Sequence, residues 1–268
     1  MTYANIKFIA ADMDGTLLNE HGQLPANFYD VFAQLDAKGI YFCAASGRQY
    51  YSLCETFAPI KDRLVYVADN GTMVMYQDKL LYSSTMDKAD TDAIVTTARA
   101  IEGTYTVLCG KKSAYIETQD PQALAEISKY YARCEYVDDL LAVEDDFIKV
   151  ALCHFGGTEA LVYPTMRDQF AATHQVVVSA KIWLDLMHAD ASKGAAIEHL
   201  QQTMGFTRAQ TMTFGDYFND VEMLKVSDYS YAMANAHEEV KKFAQFSAPS
   251  NRDNGVMTVI EQTVLAQD

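Results

Sequence analysis

In the stretch FIAADMDGTLL, residues 8–18, four apolar residues run into Asp12, Met13 and Asp14, and Gly15 then turns the chain. Two other apolar runs stop in the same way, FCAAS on Ser46 and TMTFGD on Asp216, and Lys193 stands at the start of the helical pattern SKGAAIEHLQQTMG. A single aspartate or serine after a strand commonly caps the next helix. Three strand ends sharing the pattern beside one lysine point instead to a shared site, because open parallel sheets bind ligands at the carboxyl ends of their strands.

These residue types specify a chemistry. If the chain bends at Asp14, its backbone carbonyl can face a metal while its side chain faces a substrate oxygen. Asp216 then adds another carboxylate. An all-oxygen site that keeps waters suits Mg²⁺, and the six histidines show no HxxxH or HxH spacing that would indicate zinc. Asp12 is placed as a nucleophile that forms an aspartyl-phosphate. Asp14 is placed as the acid that protonates the leaving oxygen and the base that then deprotonates water. The Ser46 hydroxyl, nearby backbone N–H groups and the Lys193 ammonium would hold the phosphoryl oxygens and neutralise developing charge.

Positioning such a cluster requires strands that end together. Residues 25–37 open with Pro25 and set Phe28, Val31, Phe32 and Leu35 on one helical face, with Gly39 closing the helix and IYFCAAS following as a strand. A helix over 49–58 leads to the strand LVYVA, DNG at 69–71 turns the chain into MVMY, and Gln77-Asp78 turns it into KLLYS. This alternation predicts a parallel sheet covered on both faces.

Between about 84 and 187 the rhythm changes. YTVLC, SAYIE, FIKVALCHF and QVVVSAKIWLDLM read as strands, with helical patterns near 88–101, 121–133 and 158–172, which suits an antiparallel α+β unit. From about 190 the first rhythm returns, with a helix bearing Ala196, Ile197, Leu200 and Met204, the strands TMTFGD and YSYAMANA, and a helix over HEEVKKFAQF. The expected architecture is α/β. A Rossmann-like parallel-sheet core is formed by residues 1–83 and 188–268, with an α+β cap of residues 84–187 inserted between them.

Composition narrows the function classes. Half of the 268 residues are hydrophobic, so a substantial core can form, and 36 Asp and Glu against 21 Lys and Arg leave a formal charge of -15. No basic run or basic-aromatic stripe offers a footing for nucleic acid or an anionic membrane. An acidic protein can still hold a phosphate dianion where Mg²⁺ and Lys193 reverse the local sign. The five cysteines contain no CxxC, which argues against a disulfide framework or a thiolate zinc site and fits a reducing compartment. The first residues lack a signal-peptide h-region and no apolar stretch reaches the length of a membrane span, so a soluble, cytoplasmic protein is expected, monomeric or weakly homo-oligomeric.

DMDGTLL resembles the DxDGTL signature of the haloacid dehalogenase-like phosphatases. ASGR at 45–48, SKG at 192–194 and GDYFND at 215–220 are similar to their second, third and fourth motifs, in the same order. DNG at 69–71, AMANA at 232–236 and SNRDNGV at 250–256 further resemble the Cof-type branch, whose members carry an α/β cap between the second and third motifs. The likeness runs from residue 8 to about 259. It implies Mg²⁺ bound by Asp12, the Asp14 carbonyl and Asp216. It implies phosphate contacts from Asn219, with Asp220 supporting the metal shell or orienting Lys193. Gly47, Arg48 and Asn70 would lie near the substrate.

Other features have plainer explanations. Tyr50-Tyr51 and Tyr130-Tyr131 fit helix-face packing better than a ring-stacking surface, His188 fits a solvated turn, and Glu238-Glu239 ahead of Lys241-Lys242 suits a helix dipole. The reading as a whole is a Mg²⁺-dependent phosphatase of small phosphomonoesters, sugar phosphates or phosphorylated cofactors. A phosphomutase would need a basic cluster in the cap, and Lys111-Lys112, the adjacent basic pair there, fits a hairpin turn. A non-catalytic sensor of a phosphorylated metabolite would not need Asp12, Asp14, Lys193 and Asp216 together.

Overall fold

The computed structural model describes residues 5–266. The first four residues of the stretch read for a leader, and the last two of the chain, lie outside the described residues. Strands β1 (Phe8–Ala11), β2 (Tyr41–Ala45), β3 (Val65–Ala68), β4 (Met73–Tyr76) and β5 (Lys79–Ser83) come first in the chain. Strands β6 (Tyr105–Gly110), β7 (Ala114–Ile116), β8 (Cys134–Tyr136), β9 (Phe147–Cys153), β10 (His174–Ala180) and β11 (Trp183–His188) follow, then β12 (Thr211–Gly215), β13 (Tyr229–Met233) and β14 (Phe246–Ala248).

The first and last groups share one eight-stranded sheet in the order β14-β13-β12-β1-β2-β3-β4-β5. Six of its strands are parallel, and β4 and β5 are added antiparallel at one edge. Every side chain of β1 is buried, because the sheet is covered twice. Ile9 and Ala11 face a cluster with Phe28, Phe32, Phe42 and Ile260, whereas Phe8 and Ala10 face Ile197, Leu200 and Phe206 on the opposite side. The period of two in side-chain direction thus requires an apolar residue at every position. Chain order reverses at β1, with β2 and β3 on one side and β12 to β14 on the other, so a crevice opens where β1 and β12 end.

The middle strands form a separate six-stranded sheet in the order β10-β11-β9-β6-β7-β8. Its pairings are antiparallel except that of β7 with β8. The fold is therefore a Rossmann-like parallel-sheet core with an α+β insertion. The helices Lys88–Arg99 and Tyr163–Phe170 lie against one face through Ile94, Val95, Ala98 and Met166.

QVVVSAKIWLDLM is not one strand but the antiparallel pair β10 and β11, and three helical expectations also differ from the structure. The helical pattern over 158–172 is two helices, Thr158–Leu161 and Tyr163–Phe170, with Pro164 in the first turn of the second, where its missing N–H costs nothing. The pattern over 121–133 is helical only at Pro121–Ile127, and Cys134–Tyr136, unassigned from sequence, adds an edge strand. HEEVKKFAQF forms a helix only at Glu238–Lys241, and Phe246 begins β14 beside β13. Sheet pairing outweighs helical periodicity there. No helix among the described residues is long and apolar enough to cross a membrane.

Candidate active site

Asp12 follows β1 directly, and its N–H donates to the Phe214 carbonyl of β12 (3.0 Å), which ties the two strand ends together. The chain then doubles back, with Leu17 N–H donating to the Asp12 carbonyl (3.0 Å) and Leu18 N–H to the Met13 carbonyl (2.9 Å). Gly15 makes this return with φ +86°, and a Cβ there would fall on the Asp216 carboxylate. Glycine is required twice, for the left-handed backbone and for the close approach. Gly15→Ala is accordingly expected to displace Asp216 and lower kcat/KM by roughly 10²-fold, the effect of an ångström-scale misplacement. Steady-state kinetics check this, and the folded far-ultraviolet spectrum should survive.

Lys193 begins the helix Lys193–Met204, whose Ser192 cap accepts from Ala195 N–H (3.0 Å). The Lys193 side chain is fully buried, and its Nζ donates to Asp12 Oδ1 at 2.6 Å and to Asp220 Oδ1 at 2.7 Å. The second Asp220 oxygen accepts the N–H groups of Asp216 (2.9 Å) and Tyr217 (3.2 Å), so Asp220 fixes both the lysine and the loop after β12. Asp216 accepts a hydrogen bond from the Thr16 hydroxyl at 2.9 Å. Carboxylate oxygens of Asp12, Asp216 and Asp220 lie within 4.8 Å of one another.

Three carboxylates around one ammonium are electrostatically unbalanced. Burial, then Asp220 and Asp216, push the Asp12 carboxyl well above its ordinary range against the pull of Lys193. Burial and Asp220 raise Asp216 to about 7. Burial alone would weaken the charge on Lys193, but Asp12 and Asp220 more than offset it and raise its pKa. The crowding is what a divalent cation would relieve, and the donor set is all oxygen, as Mg²⁺ requires. With both Asp220 oxygens engaged, Asp12 and Asp216 are the carboxylates whose remaining acceptor capacity fits such an ion.

Across the crevice, both Asp14 oxygens are held by the Arg48 fork, Nε to Oδ2 at 2.7 Å and Nη2 to Oδ1 at 2.6 Å. Ser46 is buried after β2, its Oγ accepting from Arg48 N–H (3.1 Å) and its carbonyl from Asn70 N–H (2.9 Å). The DNG turn expected at 69–71 has φ of 48°, 57° and 94° at its three residues, a conformation that Asp, Asn and Gly tolerate best. It presents Asn70 Oδ1 to the Asn219 amide at 2.9 Å. Asp12, Asp14, Ser46, Gly47, Arg48 and Asn219 line one cleft, with Lys193 and Asp216 beneath its Asp12 end and Asn70 behind Gly47.

The far wall of the cleft comes from the inserted unit, and sequence reasoning missed most of it. Tyr130 and Tyr131 line the cleft beside Trp183, at ring-centroid distances of 5.5 and 6.2 Å from it, and the Arg48 guanidinium lies 5.4 Å from the Tyr130 ring centre. The helix-face packing expected for this pair is not what the structure shows: the helix ends at Ile127, and both rings pack at the site instead. Lys149 and Asp185 also line it. Their signal was a lone charge inside each of the apolar runs FIKVALC and IWLDLM, since a buried charge persists only with a partner. His188 is exposed at the end of β11 and is not among the residues that line the cleft.

The haloacid dehalogenase-like hydrolase family matches residues 9–260. A 5-amino-6-(5-phospho-D-ribitylamino)uracil phosphatase of Escherichia coli is 32% identical over 265 residues, covering 97% of each chain. A Bacillus subtilis phosphatase of the same name is 24% identical, also over 97% of each chain. A crystal structure of a Streptococcus mutans protein superposes with a TM-score of 0.90 at 30% identity, covering 98% of this chain and 100% of that one.

Proposed function

This chain belongs to the haloacid dehalogenase-like hydrolases and is a phosphatase, and we propose that it hydrolyses small phosphomonoesters with Mg²⁺ through a phosphorylated Asp12. The observation that carries this reading is the buried Lys193 ammonium shared between Asp12 and Asp220, with Asp216 gathered beside them where β1 and β12 end.

Asp12 Oδ2 is the oxygen left for attack on phosphorus, because Oδ1 is taken by Lys193. Lys193 spreads positive charge toward the phosphoryl oxygens, and the Ser46 hydroxyl, Asn219 amide and Arg48 orient them. Mg²⁺, held by Asp12, Asp216 and the Asp14 carbonyl, would supply charge neutralisation at the transferring group. Asp14 gives its proton to the leaving oxygen and then takes one from the water that attacks the acyl phosphate at phosphorus. Both Asp14 oxygens are engaged by Arg48, so proton transfer requires that fork to open, and an arriving phosphate dianion is the competing partner for the guanidinium.

In this reading residues 1–83 and 188–268 are the catalytic core, and residues 84–187 are the cap that selects the leaving group. The partner is a small phosphorylated metabolite, a sugar phosphate or phosphorylated cofactor, and the protein works in the cytoplasm as a monomer or weak homo-oligomer. The names of the two relatives make 5-amino-6-(5-phospho-D-ribitylamino)uracil the first compound to try. The test is phosphate release from a panel of phosphomonoesters including that compound, with Mg²⁺ or with chelator. Release from no member in Mg²⁺ would overturn the reading.

The carboxylate crowding has a pH signature. Without metal, Asp216 protonates at about 7 in the folded protein, above its ordinary 3.8. Between those values the folded state holds more protons than the unfolded chain, so metal-free stability falls as pH rises through that window. Mg²⁺ binds the deprotonated site and restores stability. The Mg²⁺-induced rise in Tm is therefore expected to be small near about pH 5 and to grow toward about pH 8, and to vanish in Asp216→Ala. Differential scanning calorimetry measures both.

A further inference from the structure

We propose that Lys149 is a positioning residue that seats the six-stranded sheet on the 46–48 and 69–70 loops and so shapes the phosphate-gripping wall of the site. The functional half of this claim rests on the hydrolytic reading above.

Lys149 lies in the middle of β9, a strand whose seven side chains are all buried. Its direction comes from an irregularity. Cys109 pairs with Lys149 but Gly110 pairs with Phe147, so β9 carries one extra residue at Ile148. Such a bulge resets which face the following side chains take. Val150 and Leu152 then pack into the cluster under the cap's own helices, and Lys149 joins Ala151 and Cys153 on the face toward the parallel-sheet core. Asp185 pairs directly with Ala151 and shares this face.

The lysine is 1% exposed, and its ammonium reaches across to the core. Nζ donates to the Gly47 carbonyl at 2.8 Å and lies 2.9 Å from Asp69 Oδ1, with Asp185 Oδ1 4.0 Å away. Asp185 in turn accepts from the Asn70 amide, and Asn70 accepts from Asn219 at 2.9 Å. A planar trans peptide aims its N–H opposite its carbonyl, so pinning the Gly47 carbonyl on Lys149 sets the Arg48 N–H on Ser46 Oγ, 3.1 Å away. One buried cation from the inserted sheet thereby fixes the loop carrying Ser46 and Arg48, and through Asp185 and Asn70 the amide of Asn219. Gln49 with Arg133 and Ser52 with the Tyr130 carbonyl also bridge the units, but they hold the 130–133 turn. The Lys129 carbonyl (3.5 Å) and Tyr130 ring meet only the Arg48 side chain, not the Gly47–Arg48 peptide that Lys149 pins.

Removing the lysine alone strands two buried carboxylates and could unfold the protein. The informative variant is the charge-balanced pair Lys149→Met with Asp69→Asn, set beside Lys149→Arg, which keeps the cation. Hydrogen exchange by mass spectrometry is measured on all three proteins, with kinetics on p-nitrophenyl phosphate in Mg²⁺. In the double variant, exchange in segments 46–49 and 69–72 should accelerate about ten- to a hundredfold while β1 and β12 stay protected. KM should rise by a similar factor with kcat little changed, the mark of a lost grip common to ground and transition states. Lys149→Arg should keep most of the wild-type behaviour. Unchanged loop exchange, acceleration of all segments together, or an equal defect in Lys149→Arg would each overturn the proposal. If the wild type turned over no phosphomonoester, the hydrolytic reading would fail while the exchange measurement still decided whether Lys149 positions the loops.

Discussion

Asp12→Asn should reduce turnover by several orders of magnitude while the protein stays folded. The amide keeps an oxygen for the Lys193 ammonium, now 2.6 Å from Asp12 Oδ1, but it is a far weaker nucleophile. Stability should hold or rise, because the substitution removes a carboxyl whose charge burial and Asp220 disfavour. Each factor of ten is only about 1.4 kcal/mol of barrier. A variant that kept more than about a tenth of wild-type kcat would therefore have lost almost none of the barrier lowering assigned to Asp12. A loss of turnover accompanied by unfolding would not count as support, so Tm is recorded on the same preparation.

Asp14→Asn should do less harm, and selectively. Its backbone carbonyl survives, but proton transfer to the leaving oxygen is gone, and such catalysis contributes about 10²–10⁴-fold. Alkyl phosphates, whose alkoxide leaving groups need that proton, should lose the full factor. A nitrophenyl phosphate, whose leaving group departs as a stable anion, should lose much less. The variant also gives up half of the Arg48 fork, a loss that affects all substrates alike and cancels in the ratio. Equal losses of kcat/KM for aryl and alkyl substrates would remove Asp14 from the acid role.

The core was legible because its signals are local. A strand buried on both faces is mostly apolar, so the acids and serine that end β1, β2 and β12 stand out, and the DNG turn carries its left-handed backbone in its residue types. The expectation that Asp12, Asp14, Lys193 and Asp216 share one site rests on strand ends converging beside the start of one helix, and the structure brings these residues to one crevice. What could not be read was long-range. Lys149 and Asp69 are eighty positions apart, and their pairing depends on the bulge at Ile148 and on how two sheets face each other. The sequence around Tyr130 and Tyr131 shows packing and nothing more, because none of their neighbours in the chain reveals that Trp183 and Arg48 lie across from them. The helix expected over residues 237–246 failed for the related reason that β13 offers Phe246 a sheet partner invisible in sequence.

The central claim is a covalent phosphoryl group on Asp12, and rapid-quench trapping tests it most directly. Enzyme in excess over a substrate with radiolabelled phosphorus is mixed with Mg²⁺ and quenched in acid within the first turnover. One aliquot is counted for protein-bound label. A second is reduced with borohydride, which expels the phosphate and leaves homoserine at the phosphorylated aspartate, and is then digested. The account predicts protein-bound label that rises and falls before phosphate appears in full, with the reduced carboxyl mapped to position 12 and no label in Asp12→Asn. Phosphate released at the wild-type rate with no protein-bound label at any time, or with the reduced carboxyl at a residue other than Asp12, would contradict it.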